Sequence, residues 1–164
     1  MKVSFVRARY PSVWEPTNLM YVSAFIKDRY RGNLEVQILD GFFDSDEQIL
    51  NKISGSDYVG FSGTTPQVPH IKKLSKLVKN EYPSMKTVAG GYGPSLQPFL
   101  FLNDPSIDYL IVGEGEQSML DILNGVATQK LVSNQPIMDV DSIPNPDRDS
   151  IDLNRYISIA EKDE

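Results

Sequence analysis

Short apolar runs alternate with longer segments of helical spacing along most of this chain, and this alternation restricts the fold more than any other feature of the sequence. Strands of a buried parallel sheet are near-continuous apolar runs, because helices cover both faces of the sheet. The five runs that fit this description are Val3–Val6, Leu34–Leu39, Tyr58–Phe61, Lys86–Ala89 and Ile107–Val112. Between them, apolar residues recur at intervals of three and four, which is the period of an α-helix.

The helical patterns complete the prediction of the fold. The first extends from Thr17 to Tyr30, and the others are Pro66–Asn80, Glu116–Val126 and, more weakly, Ser45–Ile53 and Pro94–Leu102. Strands that alternate with helices indicate βαβ units. We therefore predict an α/β, doubly wound, Rossmann- or flavodoxin-like fold, with a five-stranded parallel sheet and helices on both faces.

The alternation stops after Val126, where Asp, Asn and Pro become frequent and no sustained apolar face remains. We predict that residues 1–128 form the Rossmann-like domain. Residues 129–164 are expected to add one short extra strand near Lys130–Val132 and then an extended linker or tail.

Composition limits the classes of partner. The 164-residue chain has a formal net charge of −6 and no cysteine. Nonspecific nucleic-acid binding requires a positive face, which this sequence does not offer. No apolar run reaches the ~20 residues of a membrane-spanning helix, and disulfides and thiolate metal sites are excluded. We expect no nucleic-acid or membrane partner, no metal site, and the cytoplasm as the default location.

Three predicted strands end on glycine-rich loops: "SGTTP" at 62–66, "GGYG" at 90–93 and "GEGE" at 113–116. Ligands of an open parallel sheet bind beyond the carboxyl ends of its strands, and glycine allows a ligand to approach the backbone. The loops together predict a slot for a large, flat or elongated ligand. The candidate binding residues are Ser62, Gly63, Thr64, Thr65, Gly90, Gly91, Tyr92, Gly93, Gly113, Glu114, Gly115 and Glu116.

Each loop also has a structural explanation that stays open. The glycine pair fits a tight turn between strand and helix. Ser62, Thr64 and Thr65 fit caps of the helix that follows, and the acidic residues of "GEGE" suit the positive end of a helix dipole.

Two ligand classes with known fingerprints are disfavoured. A dinucleotide site needs GxGxxG directly after the first strand, but the first loop, "RARYPSVWEPTN", has no glycine. Asp40 stands where a dinucleotide site would have its ribose-binding carboxylate, but the glycine motif that accompanies such a carboxylate is absent. A receiver-type phosphorylation site needs an Asp at the end of the third strand, where this chain has Phe61-Ser62.

Several segments occur in an order and spacing that point to a family. They are "PTNLMYVSAFIKDRY", "DYVGFSGTTPQVPHIKKL", "AGGYGPSLQP", "IDYLIVGEGEQSMLDIL" and "SIPNPDRDSIDLNRY". From about Lys2 to Tyr156, the chain resembles the N-terminal cobalamin (B12)-binding domain of B12-dependent radical S-adenosylmethionine (SAM) enzymes. The reactions of that family include methyl transfer and ring formation, and the sequence does not choose between them.

The resemblance implies a corrinoid ligand whose ring lies across the strand ends. Its nucleotide tail is expected to run into the sheet between "SGTT" and "GGYG", with the paired glycines leaving room for the dimethylbenzimidazole base. Tyr10, Trp14 and Tyr92 are candidates to shield the faces of the corrin, with ordinary packing as the alternative.

Two departures from related patterns limit what this chain can do. Many corrinoid proteins coordinate cobalt through a His of the first loop, but the only His here is His70, in the predicted third helix. The resemblance therefore implies base-off cobalamin without a protein His ligand. The Cys-x-x-x-Cys-x-x-Cys motif of the family is also absent, so we expect the iron–sulfur cluster and SAM only in a downstream C-terminal radical SAM barrel. No catalysis is expected from this chain alone.

Two other functions stay open. A degenerate, non-corrinoid member of the fold would act as an interaction or substrate-gating domain. A flavin-binding flavodoxin-like protein is disfavoured, because the first loop lacks a Ser/Thr/Gly-rich phosphate cradle.

Overall fold

The strands form one six-stranded parallel sheet in the order β2-β1-β3-β4-β5-β6. The computed structural model describes residues 1–160. The strands are β1 (Lys2–Arg7), β2 (Glu35–Asp40), β3 (Tyr58–Ser62), β4 (Lys86–Gly90), β5 (Tyr109–Ile111) and β6 (Leu131–Val132). This order confirms the flavodoxin-like topology. The short extra strand predicted near Lys130–Val132 is β6, which extends the five-stranded sheet to six.

Helices cover both faces of the sheet. They are α1 (Thr17–Arg29), α2 (Asp46–Ile53), α3 (Val68–Glu81), α4 (Tyr92–Leu96), α5 (Phe99–Leu102), α6 (Glu116–Leu123) and α7 (Leu153–Ala160). The single helix predicted over Pro94–Leu102 is divided into α4 and α5. Pro98 explains the division, because the residue before a proline is disfavoured in the helical conformation, and Gln97 has φ −128° and ψ 52°.

Two apolar cores lie on opposite faces of the sheet. On one face, Ile49 of α2 and Ile71 and Leu74 of α3 are completely buried. On the other face, Met20 and Ile26 of α1 pack in one core with residues of α6. Burial on both faces is the reason why the strands are near-continuous apolar runs in the sequence.

The sheet changes direction between β1 and β3. From β1 the chain passes through α1 to β2 on one side, and from β3 it passes through α3 to β4 on the other side. Loops that leave neighbouring strands in opposite directions leave a crevice at the carboxyl edge. The fold therefore places the first loop and "SGTT" on the two sides of a crevice.

Residues 129–160 differ from the extended tail expected there, because they include the helix α7. Leu153, Tyr156 and Ile157 stand at i, i+3 and i+4, and the carboxylate of Asp152 accepts the backbone N–H of Asn154 at 3.1 Å. A capping Asp before this apolar spacing is a helix signal. The helix is only eight residues long. A search for sustained apolar faces along the sequence therefore does not detect it.

Residues 133–152, which we call the strap, lie across α6 and α1 before α7 begins. Asp147 makes the densest set of contacts in the strap. Its carboxylate accepts hydrogen bonds from Ser23 and Lys27 of α1, each at 2.6 Å, and from Ser150. Its backbone N–H donates to the carbonyl of Met20 at 3.1 Å. The strap is thus a docked segment in this structure.

Asp147→Asn should reduce the free energy of unfolding by about 1–3 kcal/mol at pH 7, because it removes charge-assisted hydrogen bonds at a mostly buried position. Burial raises the pKa of the Asp147 carboxyl, but hydrogen bonds from Lys27, Ser150 and Ser23 outweigh it and hold the pKa below the ordinary 3.8. A lowered folded-state pKa stabilises the protein above pH 3.8, and this stabilisation is lost as the pH falls through the folded value.

Urea denaturation of both proteins between pH 7 and pH 3 measures the effect. The difference in stability should shrink as the pH falls. Asp139→Asn, at an exposed carboxylate of the same strap, is the matched control and should change stability by less than about 0.5 kcal/mol. Equal effects of the two substitutions would contradict a specific role for Asp147.

Candidate functional site

A deep cleft of about 870 Å³ opens at the carboxyl edge of the sheet. It reaches down between the sheet and the helices α1 and α6. Its floor is apolar and is formed by Phe5, Leu19, Val22, Gly60, Val88, Ile111 and Met119. The volume lies in the upper part of the roughly 300–1,000 Å³ range of small-molecule sites. The cleft can therefore enclose an apolar group of considerable size.

All the candidate binding residues except Thr65 and Gly93 line this cleft. The loops after β3, β4 and β5 are thus brought together as the sequence predicted for parallel strand ends. Thr65 begins a short 3₁₀ turn that leads into α3. Gly93 lies in α4 and is buried against the β3 loop.

Gly91 is required by the contact between two loops. It has φ +87°, and a Cβ at this position would lie 2.5 Å from Ser62 Oγ and 3.1 Å from the backbone N of Gly63. A Cβ at Gly93 would likewise lie 2.6 Å from the carbonyl oxygen of Thr64. The absence of side chains here lets the β3 and β4 loops touch.

Gly90 has a different role from its neighbour. It is the last residue of β4, and a Cβ there would meet only Ile111 Cβ, at 3.6 Å, which is ordinary van der Waals contact. Gly90 borders the cleft beside the apolar floor. Of the glycine pair, Gly90 is therefore the one whose missing side chain leaves space in the cleft.

The polar residues of the β3 loop combine local hydrogen bonds with a mostly buried hydroxyl beside the cleft. The Thr64 hydroxyl and backbone N–H both donate to Gln67 Oε1, at 3.0 and 2.7 Å, so it is the Gln67 side chain that accepts the N–H at the start of the following turn. Ser62 Oγ accepts from Asn18 Nδ2 at 2.8 Å and lines the cleft. The same loop therefore both hydrogen-bonds to the following turn and lines the cleft.

The β5 loop also has partners within the protein. The N–H of Gly113, a residue with φ +93°, donates to Ser95 Oγ at 3.1 Å. Glu114 Oε2 accepts the backbone N–H of Ile137 in the strap at 3.0 Å. Glu116 stands in the first turn of α6, where the helix dipole favours a carboxylate.

The first loop supplies a wall of the cleft that the glycine pattern did not reveal. Its lining residues, together with those at the start of α1, are Arg7, Tyr10, Ser12, Trp14, Glu15, Pro16 and Asn18. Arg7 is the one cation among the lining residues of the described chain, and its Nε donates to Asp40 at 2.9 Å. Trp14 is 73% exposed and Tyr92, across the cleft, is 68% exposed. Large apolar surfaces therefore stand free at the mouth of the cleft.

His70 and Asp40 are both committed to contacts within the protein. His70 Nδ1 accepts the backbone N–H of Arg9 at 2.7 Å, and Nε2 lies 2.9 Å from Asp46 Oδ1. Neither His70 nor Asp40 lines the cleft.

Within residues 1–160, no group of three or more His, Cys, Asp or Glu side chains is arranged to hold a metal ion. None of the helices described is long and apolar enough to cross a membrane.

A family model described as "B12 binding domain" matches residues 3–123. The chain is 27% identical over 147 residues to the anaerobic magnesium-protoporphyrin IX monomethyl ester cyclase of Rubrivivax gelatinosus, which covers 82% of this chain and 26% of the relative. It is 32% identical over 143 residues to the cytidylyl-2-hydroxyethylphosphonate methyltransferase of Streptomyces wedmorensis, which covers 70% of this chain and 26% of that relative. The chain thus spans about a quarter of the length of these two relatives.

Among solved structures, the non-phosphorylated receiver domain of the stress response regulator RcsB from Escherichia coli superposes with a TM-score of 0.52. The identity is 13%, and the match covers 82% of this chain and 98% of that domain. At this identity the likeness shows a shared fold and nothing more.

Gly91→Ala should destabilise the protein more than Gly113→Ala. Both positions have positive φ, so each substitution strains the backbone by roughly 1–3 kcal/mol. Only at Gly91 does the new Cβ also collide with a neighbouring loop, whereas nothing lies within 4 Å of a Cβ at Gly113. Urea unfolding of the two variants gives the comparison. Equal stability of the two would show that the β3 and β4 loops are not held in close contact.

Proposed function

We propose, because the chain belongs to the B12-binding domain family, that its cleft holds the nucleotide tail of cobalamin while the corrin ring lies over the strand ends. The observation that carries this proposal is the open cleft itself, which has an apolar floor and is bordered by three glycine-rich loops. Such a cleft suits an aromatic base on a flexible linker.

The chemistry of the lining residues fits the parts of such a ligand. The floor residues expose apolar surface to the base, and Ser62 and Asn18 offer polar groups higher in the cleft. The single lining cation, Arg7, is neutralised by Asp40, so binding depends on shape and apolar contact more than on charge. Trp14 and Tyr92 stand where they can cover the edge of the macrocycle. When bound, cobalamin supplies a cobalt ion that can carry a methyl group.

We further propose that cobalamin binds base-off, without a His ligand from this protein. His70 supports this proposal, because both of its ring nitrogens have partners and it lies outside the cleft lining. A base held in the cleft would be kept away from the cobalt, and His70, outside the cleft lining, would not take its place.

The rest of the activity is assigned to a partner domain. Relatives that are longer than this chain include a cyclase and a methyltransferase. We propose that residues 1–128 are the cobalamin-binding unit and that residues 129–164 lead toward a C-terminal radical SAM barrel. That barrel holds the iron–sulfur cluster and SAM in this proposal, since this chain has no cysteine to bind a cluster. The location proposed for the whole protein is the cytoplasm.

Titration with hydroxocobalamin, followed by absorbance, tests the binding proposal. The wild-type protein should bind with micromolar affinity and give a base-off spectrum. Gly90→Leu should weaken binding at least about a hundredfold, roughly 2.7 kcal/mol, because the leucine side chain fills the space beside Ile111. Circular dichroism and the urea midpoint check that the variant folds.

Gly90→Ala is the matched control, because its Cβ makes only ordinary contact, and it should retain affinity within about threefold of wild type. A wild-type protein that causes no spectral change would favour the non-corrinoid interaction domain. A folded Gly90→Leu variant with wild-type affinity would place the nucleotide tail outside this cleft.

A further inference from the structure

A buried carboxylate at the end of β2 joins the first loop to the C-terminal helix. Asp40 is only 4% exposed. Its Oδ1 accepts from Arg7 Nε at 2.9 Å and from the backbone N–H of Phe42 at 2.8 Å, and its Oδ2 accepts from the Tyr156 hydroxyl at 2.8 Å. Each oxygen therefore has its own set of donors, and Tyr156 is the one donor on α7.

Arg7 connects Asp40 to the wall of the cleft through hydrogen bonds. Its Nη1 donates to the carbonyl of Trp14 at 2.7 Å, and its Nη2 donates to the carbonyl of Ser12 at 3.2 Å. The planar guanidinium has its donors in a fixed arrangement, so Asp40 on one side determines which carbonyls it reaches on the other. Ser12 and Trp14 both line the cleft.

Tyr156 is well fixed in its place on α7. It is 8% exposed, and its ring packs edge-on against Phe43 with centroids 4.9 Å apart. The guanidinium of Arg155 lies 4.3 Å above the same Phe43 ring and 3.4 Å from the carboxylate of Asp44. Burial, followed by the nearby Asp40 carboxylate, raises the pKa of the Tyr156 phenol. The hydroxyl therefore stays protonated, as a donor must.

We propose that Tyr156 is a positioning residue for the cleft, which acts through Asp40 and Arg7 on the loop segment 12–14. Docking of α7 and the shape of the cleft wall are then coupled. Coupling of this kind is reciprocal: a ligand that orders the loop stabilises the docked helix, and a movement of the chain at α7 changes the affinity of the cleft. The coupling concerns the loop itself and holds whether or not the ligand is cobalamin.

Trp14 reports directly on this loop, because it is the only tryptophan in the chain. Time-resolved fluorescence anisotropy of the ligand-free protein measures the amplitude of nanosecond motion at Trp14. Tyr156→Phe keeps the ring against Phe43 and removes only the hydroxyl. This variant should raise the amplitude of the fast component roughly twofold, and Asp40→Asn should raise it at least as much.

Tyr82→Phe is the matched control, because it also removes one phenolic hydrogen bond, from Tyr82 to the carbonyl of Leu50 at 3.2 Å, outside the cleft lining. It should leave the motion of Trp14 unchanged. An unchanged amplitude in a folded Tyr156→Phe variant, or an equal rise in Tyr82→Phe, overturns the proposal.

The affinity for hydroxocobalamin gives a second measurement. In Tyr156→Phe it should fall severalfold, and the dissociation rate constant should rise. If the wild-type protein does not bind cobalamin, the proposed function fails, but the anisotropy comparison still decides the role of Tyr156.

Discussion

Backbone contact between the loops after β3 and β4 is the constraint on which the candidate site depends. The N–H of Gly93 donates to the carbonyl of Gly63 at 2.9 Å, and a Cβ at either Gly91 or Gly93 would collide with the β3 loop. Contact at this distance leaves no space for a ligand between the β3 and β4 loops. The opening is left on the side of α1 and α6, where Gly90 adds no side chain to the floor and the Phe5 ring packs over Gly60.

The sequence predicted the sheet, its parallel order and the convergence of three loops, because apolar runs and glycine-rich strand ends are local signals. It did not distinguish Gly90 from Gly91, since the difference lies in the distance to a loop that is remote in sequence. From the first loop it named only Tyr10 and Trp14 as candidate ligand contacts, because the wall depends on Arg7, which is held by Asp40, a residue of another strand. The helix α7 was missed because its apolar pattern is short.

The strap connects residues at the mouth of the cleft to the C-terminal helix α7. Arg148 of the strap pairs with Glu15 at 3.0 Å, and Ile137 donates to Glu114 at 3.0 Å. Both carboxylates belong to residues that line the cleft. The C-terminal region therefore contacts both sides of the cleft mouth and, through Tyr156, the support of its wall. In the proposed function, this region is the one that leads toward the catalytic domain.

The central claim is that the cleft holds the nucleotide tail of the ligand, and cobinamide, a corrinoid without that tail, tests it most directly. Dissociation constants for hydroxocobalamin and aquocobinamide, measured side by side with the wild-type protein, give the net contribution of the tail, which is its contacts in the cleft less the cost of detaching its base from cobalt. We predict that cobinamide binds at least about tenfold more weakly, a difference of roughly 1.4 kcal/mol or more. Equal affinities would contradict this claim, because they would show no net gain from placing the nucleotide tail in the cleft.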